Sequence, residues 1–294
     1  FFDCGTPRVF EERPYKYLFR TGSTGLMDSL GAARYILAQN PNLAKVNGIN
    51  QNYAWGQDSW NDFVASLKKL KSSVGIGTSQ MPKLYAGQYS AEISELQLQD
   101  AQFVHSSFWG GDMEGFIQQA RARGLLDKQV AILTTGETAM FRMAEQIPDG
   151  TVIGARGPYG VFAPDNALNR WFREQYYNRF NTWPTYPSYK MAQAILGLKA
   201  AADKAMATNP KPSEADIIAT LEHLSFEAPS GTVKMAIGKG HQAITEMVYG
   251  RFKLQAGKPT IADVIRYPAE CVNPPDGVTS EQWISQGFPG AKCN

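Results

Sequence analysis

Two textures of apolar residues alternate along the first half of the chain. Short continuous or alternating runs, as at Val46 and Ile49 within Lys45 to Ile49, read as buried strands. Stretches such as Trp60, Phe63, Val64, Leu67 and Leu70 recur at the three-and-four spacing of an amphipathic helix face. Between those two lies the polar, glycine-containing stretch Asn50 to Asp58, read as a loop. The same order returns twice. Ala101 to His105 is a strand that runs through Ser106-Ser107-Phe108-Trp109-Gly110-Gly111-Asp112 into a helix marked by Met113, Phe116, Ile117 and Ala120, with Gly124 as its C-terminal stop. Val130 to Leu133 is a strand entering Thr134-Thr135-Gly136-Glu137, with a helix expected from Thr138 to Gln146 and a strand from Thr151 to Gly154. Leu26, Leu30, Ala33 and Leu37 mark a helix stopped at Asn40-Pro41, Val74 to Thr78 a strand, and Ile93 with Leu96 a helix of two to three turns. Strict alternation of this kind predicts an α/β fold with a parallel sheet covered on both faces.

The pattern is different at both ends. Residues 1–20 read as strand-like pieces around Gly5-Thr6-Pro7, from Phe1-Phe2-Asp3-Cys4 to Tyr17-Leu18-Phe19-Arg20. An opening in mid-strand suggests that further chain precedes it. After Arg156 come an irregular Gly157-Pro158-Tyr159-Gly160 and helices at Pro164–Phe180, Tyr186–Met206 and Ser213–His223, the last with Ser213 and Asp216 spaced close to a capping box. Val233-Met235-Ile237 and Thr245-Met247-Tyr249 alternate like two strands joined through Gly238-Lys239-Gly240. These helices are expected to cover a sheet that the local sequence barely supplies.

Composition narrows the function classes. With 29 basic and 27 acidic residues the net charge is +2, which gives no reason to invoke nucleic acid or an anionic membrane surface. No apolar run is long enough to span a bilayer. Cys271 and Cys293 flank a Pro/Gly-rich tail with little core-forming pattern. A disulfide closing that loop would contribute about 3 kcal/mol and imply an oxidising compartment; two unpaired thiols in a reducing cytosol are the alternative. Cys4 is left over, buried and free or paired outside this sequence.

The three histidines are far apart, and no His or Cys spacing suits a metal. There is no nucleophile elbow, P-loop or dinucleotide fingerprint. The strand-to-helix loops hold a consistent inventory instead: Tyr53 and Trp55 in one, Ser107, Phe108 and Trp109 in the next, Thr135, Gly136 and Glu137 in the third. Successive loops on the carboxyl edge of one sheet converge, and aromatic walls with hydroxyls and one carboxylate suit an organic ligand with an apolar body and a polar end. Two plainer readings stay open: Tyr53 and Trp55 pack on the helix start, and Glu137 serves a helix N-terminus. Without an activated nucleophile or acid–base pair, the set points to binding rather than catalysis, and no cofactor is implied.

In order and spacing, Tyr17-Leu18-Phe19-Arg20, Tyr53-Ala54-Trp55-Gly56, Gln119 to Leu125, Pro187 to Ala192 and Gly231-Thr232-Val233 resemble the periplasmic solute-binding proteins of ABC transporters, of the leucine/isoleucine/valine-binding type. The resemblance implies the type I periplasmic-binding fold: two parallel-sheet lobes with three crossovers and a ligand held between them, the first lobe incomplete in this chain. It assigns residues 1–20 to the end of the first lobe, 21–155 to the second, 156–244 to a helical return and 245–294 to a final crossover and tail. It further implies a secreted receptor that delivers a small solute to a membrane permease, or a sensing module of the same fold. Gly5 and Thr6 fall on first-lobe contacts, Trp55 and Trp109 on second-lobe aromatic contacts, and Glu137 at or one residue beyond the acid that holds an α-ammonium. An amino acid or related solute is the favoured ligand on this mapping. An aromatic carboxylate, held by Thr6, Ser107, backbone amides and Arg156, is the alternative.

Overall fold

The computed structural model describes residues 3–293. Along the chain the elements are α1 (Arg8–Glu11), α2 (Gly25–Gln39), β1 (Lys45–Ile49), α3 (Ala54–Leu70), β2 (Gly75–Gln80), α4 (Ser90–Gln97), β3 (Phe103–Ser106), α5 (Gly110–Ala122), β4 (Val130–Leu133) and β5 (Val152–Gly154). There follow α6 (Ala167–Phe180), α7 (Tyr186–Thr208), α8 (Glu214–Leu221), β6 (Ser225–Ala228), β7 (Gly231–Ile237), β8 (Gln242–Ile244), β9 (Met247–Gln255), β10 (Lys258–Tyr267), α9 (Ala269–Val272) and α10 (Ser280–Ser285). The chain divides into two compact units. One comprises Gly25–Arg156 with Val248–Arg266, and the other comprises Gly157–Met247 with the described residues before Gly25 and after Arg266.

The unit built on Gly25–Arg156 carries a seven-stranded sheet in the order β10-β9-β5-β4-β3-β1-β2. Strands β2, β1, β3, β4 and β5 run parallel, and β9 is antiparallel to β5. Central strands β3 and β5 are buried at every residue, as helices on both faces require. Their apolar runs are what made them readable. The strand expected at Thr245 to Tyr249 overlaps the start of β9, but β10 is not anticipated, because it is an edge strand, largely half-exposed, with Lys258, Pro259 and Arg266 interrupting its alternation. The helix expected at Thr138 to Gln146 does not form. A 3-10 turn at Gly136–Thr138 is followed by turns whose amides switch between i−3 and i−4 carbonyls, Thr138 to Thr135 and Met143 to Ala139 among them. Ala139, Met140, Met143 and Ile147 are nonetheless buried, which is why the spacing mimicked a helix.

The other unit holds a three-stranded antiparallel sheet, β6-β7-β8. Helices α7 and α8 pack on it through Ala201, Leu221, Phe226, Val233 and Met235, so the local sequence supplies a small sheet, while Trp171 and Phe180 of α6 and Ile195 and Leu198 of α7 stay exposed. The partner of β7 is Gln242–Ile244 rather than the strand expected at Thr245 to Tyr249. Gly238, Lys239 and Gly240 all have positive φ (62°, 58° and 83°), which turns the chain tightly enough to pair Ile237 with Gln242. The strand-like reading of residues 1–20 is replaced by α1 and one bridge, Arg20 to Gln242; the Phe1-Phe2 part of that reading lies outside the described residues. Helix α8 has its full capping box between Ser213 and Asp216. Cys271 and Cys293 are disulfide-bonded, and Cys4 is a free thiol. The tail between the bonded cysteines is better ordered than its composition suggested. Thr279 and Gln282 form a capping box on α10, and fully buried Trp283 donates its indole N–H to the Pro289 carbonyl.

Candidate functional site

Helix α3 starts at Ala54 and α5 at Gly110, each one residue after an aromatic side chain, so the loops are shorter than their polarity suggested. Tyr53 and Trp109 are the N-cap residues, both extended (φ −156° and −140°), and neither caps with its side chain. They are joined to each other: the Trp109 indole N–H donates to the Tyr53 hydroxyl at 2.8 Å. Two glycines permit this arrangement. A Cβ on Gly56 would sit 1.9 Å from the Gln51 carbonyl oxygen, and Gly110 has φ +57° directly after Trp109.

Trp55, one residue into the first turn of α3, is 6% exposed. Its indole N–H donates to the Ser107 carbonyl at 3.0 Å, and the Arg156 guanidinium lies 4.2 Å from its ring centroid. Arg156 in turn donates from Nε to Asp28 Oδ2 at 3.0 Å, with both side chains nearly or fully buried. The Asp28 carbonyl accepts from the Tyr249 hydroxyl, whose pKa burial raises well above the usual range. Ser107 donates both its amide and its hydroxyl to Asn50 Oδ1, at 2.9 and 2.7 Å, locking the second loop to the first. Phe108 turns inward between Tyr89 and Phe116. The sequence reading missed Asp28 and Asn50, since nothing local marks a residue whose partner lies 128 or 57 positions away.

Two further residues, Tyr85 and Tyr89 in the loop after β2, are tied to this edge through one carboxylate. Asp112, in the first turn of α5 and 4% exposed, accepts three hydrogen bonds. They come from Gln51 Nε2 at 2.7 Å, the Tyr85 amide at 2.8 Å and the Tyr89 hydroxyl at 2.6 Å. Burial, reinforced by the bond to Asp112, raises the Tyr89 pKa above its ordinary value. Tyr85 is 69% exposed, has φ +59°, and sets its ring edge-on to Trp109 at 6.0 Å between centroids. The one signal available in the sequence was Asp112 itself, an acid at a helix start following two glycines.

Glu137 is fully buried in the 3-10 turn Gly136–Thr138. Thr135, beside it, donates its hydroxyl to the Phe108 carbonyl, so the second and third loops are tied together. His105, on β3 below them, stacks on Phe63 at 4.3 Å, and burial lowers its pKa to about 3. Gly5 and Thr6 belong to the other unit, where Arg20 donates to the Cys4 and Thr6 carbonyls at 2.8 Å each. That unit also has a cleft of about 760 Å³ lined by Phe10, Tyr15, Glu222 and His241 among others, and none of the candidate residues lines it. Among the described residues no cluster of His, Cys, Asp or Glu is arranged to hold a metal, and no helix is long and apolar enough to cross a membrane.

The chain is similar to known proteins over most of its length. A Leu/Ile/Val-binding protein homologue from Brucella melitensis is 27% identical over 238 residues, which is 78% of this chain and 51% of that protein. The chain therefore spans about half the length of the curated relatives it matches. Among solved structures, the solute-binding protein of an ABC transporter from Rhodopseudomonas palustris BisB5, in complex with 3,4-dihydroxybenzoic acid, superposes with a TM-score of 0.75. That match has 18% identity and covers 91% of this chain and 71% of the other. The closed leucine-, isoleucine-, valine-, threonine- and alanine-binding protein of Brucella ovis gives 0.71 at 18% identity, covering 93% and 70%. These likenesses show the type I periplasmic-binding fold. The family described as periplasmic binding protein matches residues 5–258, and the chain belongs to it.

Proposed function

We propose that this chain is the solute-binding receptor of an ABC uptake system, working outside the cytoplasm and delivering a small organic solute to a membrane permease. The observation that carries this reading is the linked pair Tyr53 and Trp109. Two large aromatic side chains occupy N-cap positions on adjacent loops at the carboxyl edge of the parallel sheet, where Ser, Thr, Asp or Asn would be expected. Aromatic groups at that edge supply the apolar wall that an organic ligand needs. The family, the names of its relatives and the Cys271–Cys293 disulfide support the assignment.

The solute on this reading is an amino acid or a related amine. Glu137, fully buried on the same loop edge, supports this reading as the acid that the family resemblance assigns to an ammonium group. A second reading, an aromatic carboxylate, is favoured by the aromatic character of the exposed loops and by the benzoate-type ligands of solved relatives. Mass spectrometry of what co-purifies with the protein, followed by calorimetry, separates the two. Glu137→Gln should abolish the heat of leucine-like ligands. Unchanged benzoate binding by that variant, with no amino acid bound by the wild type, would establish the second reading. Absence of binding to any small organic solute would remove the receptor assignment.

A further inference from the structure

Tyr85 combines three properties that seldom meet in one residue. Its side chain is bulky and aromatic, its backbone lies in the left-handed region at φ +59°, and it is 69% exposed. A left-handed conformation is unfavourable for a residue with a Cβ and persists only where the surroundings enforce it. The enforcing group here is Asp112. Its buried Oδ2 accepts the Tyr85 amide at 2.8 Å and also the Gln51 side chain, while Oδ1 takes the Tyr89 hydroxyl. A buried carboxylate held by three donors from two loops is a rigid anchor, and the Tyr85 amide has little freedom to leave it. The ring that this backbone presents packs nothing of its own interior. It meets Trp109 edge-to-face at 6.0 Å, and Trp109 is in turn fixed by the Tyr53 hydroxyl. Three aromatic rings from three different loops are thereby held in a row at one edge of the sheet.

Building on the receptor reading above, we propose that Tyr85 is a ligand-contacting, specificity-determining residue, which with Trp109 and Tyr53 forms an aromatic shelf selecting solutes with a planar aromatic body. The conformational strain serves orientation: a relaxed backbone at this position would turn the ring elsewhere, and Asp112 holds it against Trp109. The shared chemistry of the ligand is a flat ring, from either an aromatic acid or an aromatic amino acid, and the polar end is left to other groups.

The test measures binding by calorimetry for benzoate, 4-hydroxybenzoate, phenylalanine and leucine, together with thermal unfolding, for wild type, Tyr85→Phe and Tyr85→Gly. Glycine accepts φ +59° without strain, so Tyr85→Gly should unfold at the same or a higher temperature than wild type. It should lose at least tenfold in affinity for whichever ring-bearing ligand the wild type binds. Tyr85→Phe should stay within about threefold of wild type. The benzoate and phenylalanine arms tell the two ligand sources apart. Retained affinity in Tyr85→Gly would overturn the proposal while leaving the receptor reading intact, and so would a wild type that binds leucine alone. A wild type that binds none of the four, and carries no small molecule on purification, would overturn both.

Discussion

Two aromatic assemblies stand side by side at the carboxyl edge of the seven-stranded sheet, and they are built in opposite ways. In one, Trp55 lies under the Arg156 guanidinium, whose charge is matched by buried Asp28, and the indole N–H is spent on the Ser107 carbonyl. In the other, Trp109 is half-buried and links Tyr53 to the exposed ring of Tyr85. The first assembly pairs the Arg156 charge with Asp28 and the indole N–H with a carbonyl, and leaves 6% of Trp55 uncovered. The second leaves the Tyr85 ring exposed and carries backbone strain at that residue. Burial with internal pairing is how a fold secures a scaffold, while open, pre-oriented apolar faces are how it offers a ligand a surface. Residues with the same chemistry, two tryptophans on successive loops, are thus expected to differ in role.

The largest effect should come from breaking the buried assembly. Arg156→Met leaves Asp28 without its cationic partner, and chemical denaturation should show a loss of about 3–5 kcal/mol. A loss below about 1 kcal/mol would mean that Asp28 is not dependent on that ion pair, and the scaffold role would fail. Next, Asp112→Ala strips one carboxylate from three donors beneath the open assembly, and should lower stability by about 2–3 kcal/mol. The same variant should weaken any ligand that touches Tyr85. If binding survives while stability falls, Asp112 braces the fold without orienting the shelf.

His105 supplies a pH-dependent probe of the strand beneath both assemblies. Its pKa falls to about 3 on folding because burial disfavours the charged ring, against about 6.5 in the unfolded chain. The unfolded state therefore binds the extra proton first. This contribution is fully present above about pH 6.5 and is eroded as pH falls toward 3. Between pH 7 and pH 5 it should amount to about 2 kcal/mol. His105→Phe, which keeps the stack on Phe63, should flatten that slope, and an unchanged slope would assign the pH dependence to other groups.

How legible all this was depended on the range of the interactions involved. Strands β1 and β4 were readable to the residue, β4 because burial on both faces forces an apolar run and β1 from Val46 and Ile49. The Tyr53, Trp55 and Trp109 positions were readable because strand, loop and helix follow one another in sequence. The division between the two tryptophans was not, since Asp28 and Arg156 are 128 residues apart and only the folded sheet brings them onto Trp55. Tyr85 was equally hidden: its left-handed backbone is imposed by a carboxylate 27 residues later rather than by a local turn signal. The helix expected after Thr138 illustrates the converse error. Buried residues at helical spacing also arise when a chain of turns fills a gap beside a sheet.

The most direct test of the contrast compares ligand affinity and unfolding stability for Trp109→Ala, using whichever solute the wild type binds. Open-shelf binding predicts at least a tenfold loss of affinity, about 1.4 kcal/mol or more, with stability changed by less than about 1 kcal/mol. Affinity within twofold of wild type, accompanied by a stability loss of about 3 kcal/mol or more, would contradict the account and make Trp109 a core residue like Trp55.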